Sequence, residues 1–486
     1  MRTWAGSVLM TFATVLMAVA AIAQTATWQQ IPVPPLPAFH PEEPKRIQLP
    51  NGMVIFLQED HELPLIDGFA RIRGGGRDEP AGKTALVDIY GEVWRTGGTK
   101  TRTGDQMDDV LESLAAKIET AGGGDSTSIG LSCLKKDFDQ VFRLFVELLQ
   151  NPELRQDKLD LAKNEAYDSI SRRNDSIDEI VGREAAKLGY GANSPLARVA
   201  EYATVAAITR QDLIDWHQAY VHPNNIIFGL VGDFDSAEIE AKLRQAFSSW
   251  PKSPLPKKKD YLIDPAKPGY YLVKKEDVNQ SAIRLLGLGT VRRDPDYYAI
   301  EVFNEAFGGG FSSRLNNVIR TKLGLAYSVG GGIGANWDRR GLTALGMGTK
   351  SQSTVEAIQA LHQQIEDLKT NPISNDEIRR AKDSILNSFI FNFDTPEKVL
   401  REKMAYEFYG YPLDFLEKFR AGIERVTKED VARVAAKYVE GGGMRVLVVG
   451  NAAEFDKPLN TLGPVTDLNI AIPPPPGAPP AQGSTR

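Results

Sequence analysis

The sequence predicts an α+β protein made of two related halves, each a mostly antiparallel sheet with helices packed on one face. Two observations lead to this prediction: segments with strand periodicity and segments with helix periodicity each come in runs, and one stretch of the chain recurs later. The chain has 486 residues, of which 42% are hydrophobic and 25% charged, with a net charge of -6. These values exclude disordered, fibrous and multi-span membrane proteins, and the length suggests two to four domains.

The repeat relates residues 208–232 to residues 426–450 without a gap, so that Thr427 follows Thr209 by 218 positions. Both threonines precede an amphipathic segment and are typical N-cap residues. In each copy a turn and an apolar strand follow, and the strand ends at a glycine. Agreement over about 25 residues predicts two halves of roughly 220 residues each.

Other segments supply the predicted elements. Residues 46–49 and 53–57 have strand character and flank Pro50-Asn51-Gly52, which predicts a hairpin. Helical periodicity predicts helices over residues 104–121, 135–150, 156–173, 355–369 and 376–392.

The ends of the chain differ in composition from the rest. Arg2, an apolar run and Ala21-Ile22-Ala23 are typical of a secretory signal peptide cleaved near Ala23, with a retained membrane anchor as the alternative. Export and a nearly cysteine-free composition favour the periplasm of a Gram-negative-type bacterium. The predicted boundaries are a signal peptide at 1–23, an extended segment at 24–45, a first domain at 46–250, a Pro/Lys linker at 251–267, a second domain at 268–458 and a disordered Pro-rich tail at 471–486.

Several functions are excluded by the sequence. The single cysteine, Cys133, rules out an internal disulfide, and the pI near 5.6 argues against nucleic acid as a partner. Residues 76–84 are similar to a phosphate-binding loop, but five residues instead of four separate Gly76 from Gly82, so we expect no nucleotide. No two of the five histidines stand three or four positions apart, which excludes a helical zinc motif. His217 and His222 flank a predicted helix end and are interpreted as surface or capping residues.

Residues 85–99 and 313–329, together with the repeat, resemble the insulinase-type (M16, pitrilysin-like) metallopeptidases over roughly residues 46–455. The resemblance implies an M16/LuxS-like metallohydrolase-type fold. In active members the first segment is a helix with a His-x-x-Glu-His motif, whose histidines bind zinc and whose glutamate activates water. In this chain those positions are Asp88, Gly91 and Glu92 in one alignment, and Ile89, Glu92 and Val93 in the other. Both alignments lack the histidines.

The family's distal zinc ligand is a glutamate that corresponds to Glu165, which is retained. Asp88, Glu92 and Glu165 form either a site for a hard cation or a degenerate site in which the carboxylates pair with basic neighbours such as Arg95. We favour the degenerate site and expect this chain to bind no metal.

The second segment keeps an arginine and a tyrosine that active members point into the cleft, Arg320 and Tyr327. By family resemblance, these two residues would stabilise the oxyanion of the scissile peptide and orient the substrate. The family also binds substrate as an added strand at a sheet edge. The matching region contains the expected substrate-binding residues Asp125, Ser126, Thr127 and Ser128.

The first hypothesis is therefore an M16 subunit without its own zinc site. It would pair with a zinc-bearing homologue, which supplies the zinc, and complete a chamber that cleaves a peptide or an unfolded protein. One alternative is a non-catalytic peptide-binding or assembly module of the same fold, paired with a homologue or with itself. The other is a metallopeptidase with an atypical site.

Overall fold

The computed structural model describes residues 41–439 and 443–477. The predicted signal peptide, most of the extended segment and the end of the tail lie outside the described residues. Within those ranges, no helix combines the length and apolarity that crossing a membrane requires.

The first half contains a six-stranded sheet in the order β1-β2-β6-β3-β5-β4. Only the β2–β6 pair is parallel; the other four pairs are antiparallel. The predicted hairpin is confirmed as β1 and β2, joined by a turn in which Gly52 has φ 93°. The strands are β1 (Lys45–Gln48), β2 (Val54–Glu59), β3 (Leu65–Arg73), β4 (Lys117–Gly122), β5 (Ser126–Leu134) and β6 (Ile226–Gly232).

The second half repeats this arrangement, with the order β10-β12-β8-β13-β7-β14. Three of its five pairs are antiparallel, and β14 takes the place of β1 but pairs in parallel. The predicted fold class, two related halves with mostly antiparallel sheets, is thus confirmed. The strands are β7 (Gly269–Lys274), β8 (Gln280–Leu288), β10 (Ser328–Gly332), β12 (Leu342–Lys350), β13 (Arg445–Gly450) and β14 (Val465–Asp467), with a small sheet of β9 (Thr290–Val291) and β11 (Ala335–Asn336).

The helices of both halves begin with the capping that the repeat predicts: the side chains of Thr209 and Thr427 each accept a hydrogen bond in a capping box. Two π-helical turns, Glu305–Gly309 and Asn316–Lys322, occur in the second half. The first-half helices are α1 (Leu86–Thr96), α2 (Gly104–Ser113), α3 (Phe138–Gln150), α4 (Gln156–Arg172), α5 (Ile177–Tyr190), α6 (Tyr202–Ala206), α7 (Arg210–Tyr220) and α8 (Ser236–Phe247). Those of the second half are α9 (Tyr297–Asn304), α10 (Thr354–Thr370), α11 (Asn375–Ser388), α12 (Pro396–Tyr409), α13 (Phe415–Arg425) and α14 (Lys428–Tyr438).

Four of the five predicted helices are confirmed as α3, α4, α10 and α11, the last continuing as a 3₁₀ turn at Phe389–Asn392. The helix predicted over residues 104–121 is wrong beyond Ser113. Ala115 has φ 48°, which ends the helix, and β4 follows. Pairing of β4 with β5 outweighs the weak helical periodicity of this segment.

The two halves exchange one helix each. From the first half, α5 packs Ile180, Val181 and Leu188 on the outer face of the second sheet. From the second half, α12 packs Leu400, Met404 and Phe408 on the outer face of the first sheet. Both sheets are therefore covered on two faces, an addition to the predicted one-sided packing.

Candidate functional site

Helix α1, in which the resemblance places the family's metal-binding motif, lies tightly against the edge strand β4. A Cβ atom at Gly91 would stand 2.1 Å from the backbone nitrogen of Gly122, and one at Gly122 would stand 2.2 Å from the carbonyl oxygen of Val87. The hydroxyl of Thr120 also donates a hydrogen bond to the carbonyl oxygen of Gly91 (2.5 Å). Only glycine fits this crossing, so Gly91 is a packing residue.

Beside this contact, α1 presents carboxylates. Glu92 faces Glu165 of α4, and burial together with the charge of Glu165 raises the pKa of Glu92. Asp88 lies one helical turn earlier on α1, where it lines a cavity of about 300 Å³ and burial raises its pKa. Like charges facing each other disfavour ionisation, so Glu92 holds its proton to higher pH than a free glutamate.

The structure distinguishes the two alignments of the zinc motif. Ile89 and Val93 are 3% and 0% exposed and belong to the hydrophobic core. Asp88 and Glu92 lie on the side that faces Glu165 and the cavity. We favour the alignment with Asp88, Gly91 and Glu92 for this reason; it assigns glycine to the position of the general base and remains a prediction.

Within residues 41–439 and 443–477, no group of three or more His, Cys, Asp or Glu side chains is arranged to hold a metal ion. In the described structure Asp88, Glu92 and Glu165 do not meet at one point, as the less favoured alternative, a site for a hard cation, would require. Helix packing brings Glu92 to Glu165, whereas Asp88 turns to the cavity beside Glu79.

The expected pairing of these carboxylates with Arg95 is also wrong. Arg95 donates from Nε to the carbonyl oxygen of Ile118 (2.7 Å) and pairs with Asp108. Its position near the end of α1 directs it toward β4 and α2, away from Glu92 and Glu165.

Sequence reasoning missed Glu79, which holds the first turn of α1. Its two carboxylate oxygens accept hydrogen bonds from the backbone N–H groups of Ala85 and Val87, both at 3.1 Å. Burial raises the pKa of Glu79 to about 7 despite these bonds. In the sequence, Glu79 is an acidic residue shortly before the helix, the kind that stabilises a helix N-terminus. It lies within the segment that is similar to a phosphate-binding loop, so this role was not predicted.

His217 is not a surface residue as interpreted. Its Nδ1 lies 2.8 Å from the hydroxyl of Tyr90 on α1, and its ring packs edge-on against Trp94 at 5.7 Å. Burial lowers the pKa of His217 to about 3, so it is neutral at physiological pH. His217 therefore packs against the side of α1 that carries Tyr90 and Trp94.

Arg320 and Tyr327 lie on one exposed stretch of the second half. Arg320 is in the π-helical turn Asn316–Lys322, and Tyr327 is 78% exposed just before the edge strand β10. Gly324, with φ 65°, turns the chain between them. In the described part of the chain, neither side chain has a hydrogen-bonding or ion-pair partner; Arg320 only stacks on the exposed ring of Phe311 at 5.3 Å.

The predicted strand edge is misplaced. Ser126, Thr127 and Ser128 belong to β5, whose backbone pairs with β3 on one side and, from Thr127 onward, with β4 on the other. Asp125 is held by Arg71 (3.2 Å) and by the hydroxyl of Tyr409 (2.5 Å). The open edge of the sheet is β4. The sequence analysis assigned this segment to a helix and therefore did not predict the strand. Any substrate contact of these four residues remains a prediction.

Comparison with known proteins identifies the family and the fold. Residues 96–196 match the family "Insulinase (Peptidase family M16)", and residues 207–385 match "Peptidase M16 inactive domain". A relative, the non-peptidase homolog YmxG of Helicobacter pylori, is 24% identical over 82% of this chain and 91% of its own. An uncharacterized zinc protease of Mycobacterium leprae is 24% identical over 80% of this chain and 88% of its own. The crystal structure of a peptidase M16 inactive domain from Pseudomonas fluorescens matches with a TM-score of 0.73 and 22% identity, over 84% of this chain and 98% of that one.

Proposed function

Because the chain belongs to the M16 (insulinase) peptidase family, we propose that it is the zinc-free subunit of a peptide-cleaving complex. It pairs with a zinc-bearing homologue and acts on a peptide or an unfolded protein. Residues 1–23 have the sequence of a signal peptide, so we place the complex in the periplasm of a Gram-negative-type bacterium.

The observation that carries this proposal is the state of Arg320 and Tyr327. In the described structure both side chains are free of hydrogen-bonding and ion-pair partners and lie beside an edge strand, where they are available to a substrate. A guanidinium and a phenol are the donors that a developing oxyanion requires. The open edge of β10 beside them would align an extended peptide by strand addition.

The zinc ligands and the general base that hydrolysis requires are absent from α1 of this chain. Gly91 replaces the general base of the motif, and Asp88 and Glu92 replace the two histidines. The homologue would supply zinc and the activated water. This chain would hold the peptide backbone and the carbonyl oxygen in place.

A second candidate is a non-catalytic peptide-binding or assembly module. It is supported by the relative from Helicobacter pylori, whose name describes a non-peptidase. In that case Arg320 and Tyr327 contact a bound peptide that is not cleaved. An atypical metallopeptidase fits less well, because the glycine at position 91 leaves no base at that place.

The test is a peptidase assay of the purified chain mixed with a zinc-motif homologue from the same organism. We expect Arg320→Ala to lower kcat of the mixture by about 100-fold, since removal of one oxyanion donor has an effect of this size. The matched control is Lys322→Ala, which removes an exposed cation from the same π-helical turn and leaves kcat unchanged.

A mixture no more active than the homologue alone contradicts the catalytic proposal. Binding of the same peptide, weakened by Arg320→Ala, would then favour the binding module. Cleavage by the purified chain alone, abolished by a chelator, would favour the atypical metallopeptidase.

A further inference from the structure

A cavity of about 200 Å³ lies where the first sheet, the linker and the end of α12 meet. It contains none of the residues assigned to the proposed oxyanion site. Its lining includes Arg73 from β3, Tyr220 from α7, Lys257 and Tyr261 from the linker, and Phe408 and Tyr409 from α12.

Arg73 enters this cavity without a direct ion-pair partner. Its Nη2 donates to the carbonyl oxygens of Phe408 (3.1 Å) and Glu407 (3.4 Å). Among the described residues no carboxylate lies within ion-pair distance of Arg73, and its Nε and Nη1 have no acceptor. Burial lowers the pKa of Arg73, and the charge of the nearby Glu407 carboxylate offsets this only in part, so an anion bound directly to the guanidinium would be favourable.

Two further donors are unused. Neither the hydroxyl of Tyr220 nor the ammonium group of Lys257 has a partner in the described ranges of the chain, and both residues line the cavity. Both can donate to an anion, as can the free nitrogens of Arg73. The cavity therefore has unpaired hydrogen-bond donors and positive charge that an anionic ligand could satisfy.

The carboxylates on the wall are already satisfied. Asp125 accepts hydrogen bonds from Arg71, Ser126 and Tyr409. Asp338 binds Arg77 through two hydrogen bonds and also accepts one from Lys258. Asp78 accepts hydrogen bonds from Tyr261 and from the backbone of Gly75. They cannot neutralise Arg73 without giving up these bonds.

The remaining walls are apolar or aromatic: Leu255, Pro256, and the rings of Phe408, Tyr409 and Tyr261. We propose that this cavity binds a small organic carboxylate with an aromatic or apolar body, its carboxylate held by Arg73, Tyr220 and Lys257. Such a group is either a free small acid or the C-terminal residue of a peptide. The arrangement follows the usual design of a ligand pocket, with apolar walls and a few convergent polar groups.

The test is calorimetric titration of the full chain with phenylacetate and with its neutral isostere phenylacetamide. We expect phenylacetate to bind at least about tenfold more tightly, because charge-assisted hydrogen bonds to the guanidinium require the anion. Two further probes, acetyl-Ala-Phe with a free carboxylate and its amide, distinguish the sources. Tighter binding of the peptide acid than of phenylacetate identifies a peptide C-terminus, and the reverse identifies a free acid.

Arg73→Gln should weaken binding of the preferred acid by about tenfold or more. The matched control is Arg401→Gln: Arg401 lies on α12 and pairs with Glu397 (2.6 Å) but does not line the cavity, so binding stays unchanged. If Arg73→Gln does not fold, Tyr220→Phe and Lys257→Ala replace it, each weakening binding severalfold. Equal affinity for acid and amide probes, no binding of either acid, or unchanged binding by the folded variants overturns the proposal.

Discussion

In each half a helical segment packs against the edge strand of the sheet. In both halves glycines form the contact between the two backbones. In the first half Gly91 of α1 meets Gly122 of β4. In the second half Gly308 of the turn Glu305–Gly309 meets β10, where an added Cβ would stand 2.4 Å from the carbonyl oxygen of Gly331. The close approach of helix and strand backbones has thus been kept in both copies.

The two contacts differ in the surroundings of the nearby glutamate. In the first half Glu92 faces another carboxylate, Glu165. In the second half Glu305 accepts a hydrogen bond from the hydroxyl of Ser384 (2.7 Å). The second half thus has a satisfied pair where the first has two like charges. Packing requires the glycines of both contacts, whereas the two facing carboxylates of the first half oppose each other's ionisation and so do not stabilise the fold at neutral pH.

The largest effect should come from breaking the shared contact. Gly91→Ala places a methyl group 2.1 Å from a backbone nitrogen, which only separation of α1 from β4 can relieve. We expect the free energy of unfolding to fall by about 3 kcal/mol or more, measured by urea denaturation.

Gly308→Ala should lower the stability of the second half in the same way. The control is Gly182→Ala in α5, where a Cβ meets nothing within 4 Å. There the better helix propensity of alanine should raise stability by about 0.5 kcal/mol. If Gly91→Ala left stability unchanged or raised it, as Gly182→Ala should, the role of glycine in the contact would be contradicted.

The acidic residues that precede the two helices predict opposite responses to pH. Burial raises the pKa of Glu79 to about 7, so folding opposes its ionisation, and stability falls as pH rises through neutrality. Asp296, before α9, is buried too, but hydrogen bonds from Lys437 (2.8 Å) and Arg433 outweigh burial and lower its pKa. Its contribution is complete at neutral pH and is lost only in acid.

Between pH 6 and pH 8, ionisation of Glu79 should cost the wild-type protein about 1.4 kcal/mol of stability. Urea denaturation at both pH values measures this cost, and Glu79→Gln should remove it. Asp296→Asn, the control, should lower stability equally at both pH values. A pH dependence that survives Glu79→Gln would mean that another group titrates.

Local patterns predicted much of the fold. The Pro50-Asn51-Gly52 turn, the two capping threonines and the long amphipathic helices were all readable, because each depends on neighbours in sequence. The strand β4 was not, because its six residues are fixed by pairing with β5. The exchange of α5 and α12 was invisible for a similar reason: amphipathicity shows that a helix has an apolar face but not which sheet covers it.

The site divides in the same way. The absence of a His-x-x-Glu-His motif and the seven-residue spacing of Arg320 and Tyr327 can be seen in the sequence alone. The alignment of the motif, the capping by Glu79 and the direction of Arg95 required the packing of α1 against β4. Asp88 and Glu92 separate from Ile89 and Val93 only once one face of the helix is known to be buried.

The smallest expected effect concerns the pair of carboxylates that distinguishes the first half. Glu165→Gln removes the like charge that faces Glu92, so the pKa of Glu92 should fall toward its ordinary value. A carboxyl whose pKa is raised on folding loses stability as pH rises, and the variant should therefore be more stable than the wild type at pH 7. Because the pair is open to solvent, we expect a gain of only about 0.3 kcal/mol.

Urea denaturation at pH 7 and pH 4 measures this gain, which should shrink at pH 4, where Glu92 with its raised pKa is largely protonated. The control is Asp168→Asn, which removes a charge from the exposed side of the same helix. A loss of stability in Glu165→Gln at pH 7, with Asp168→Asn neutral, would show that the two glutamates share a proton or a cation. The first half would then retain a working site rather than the remains of one.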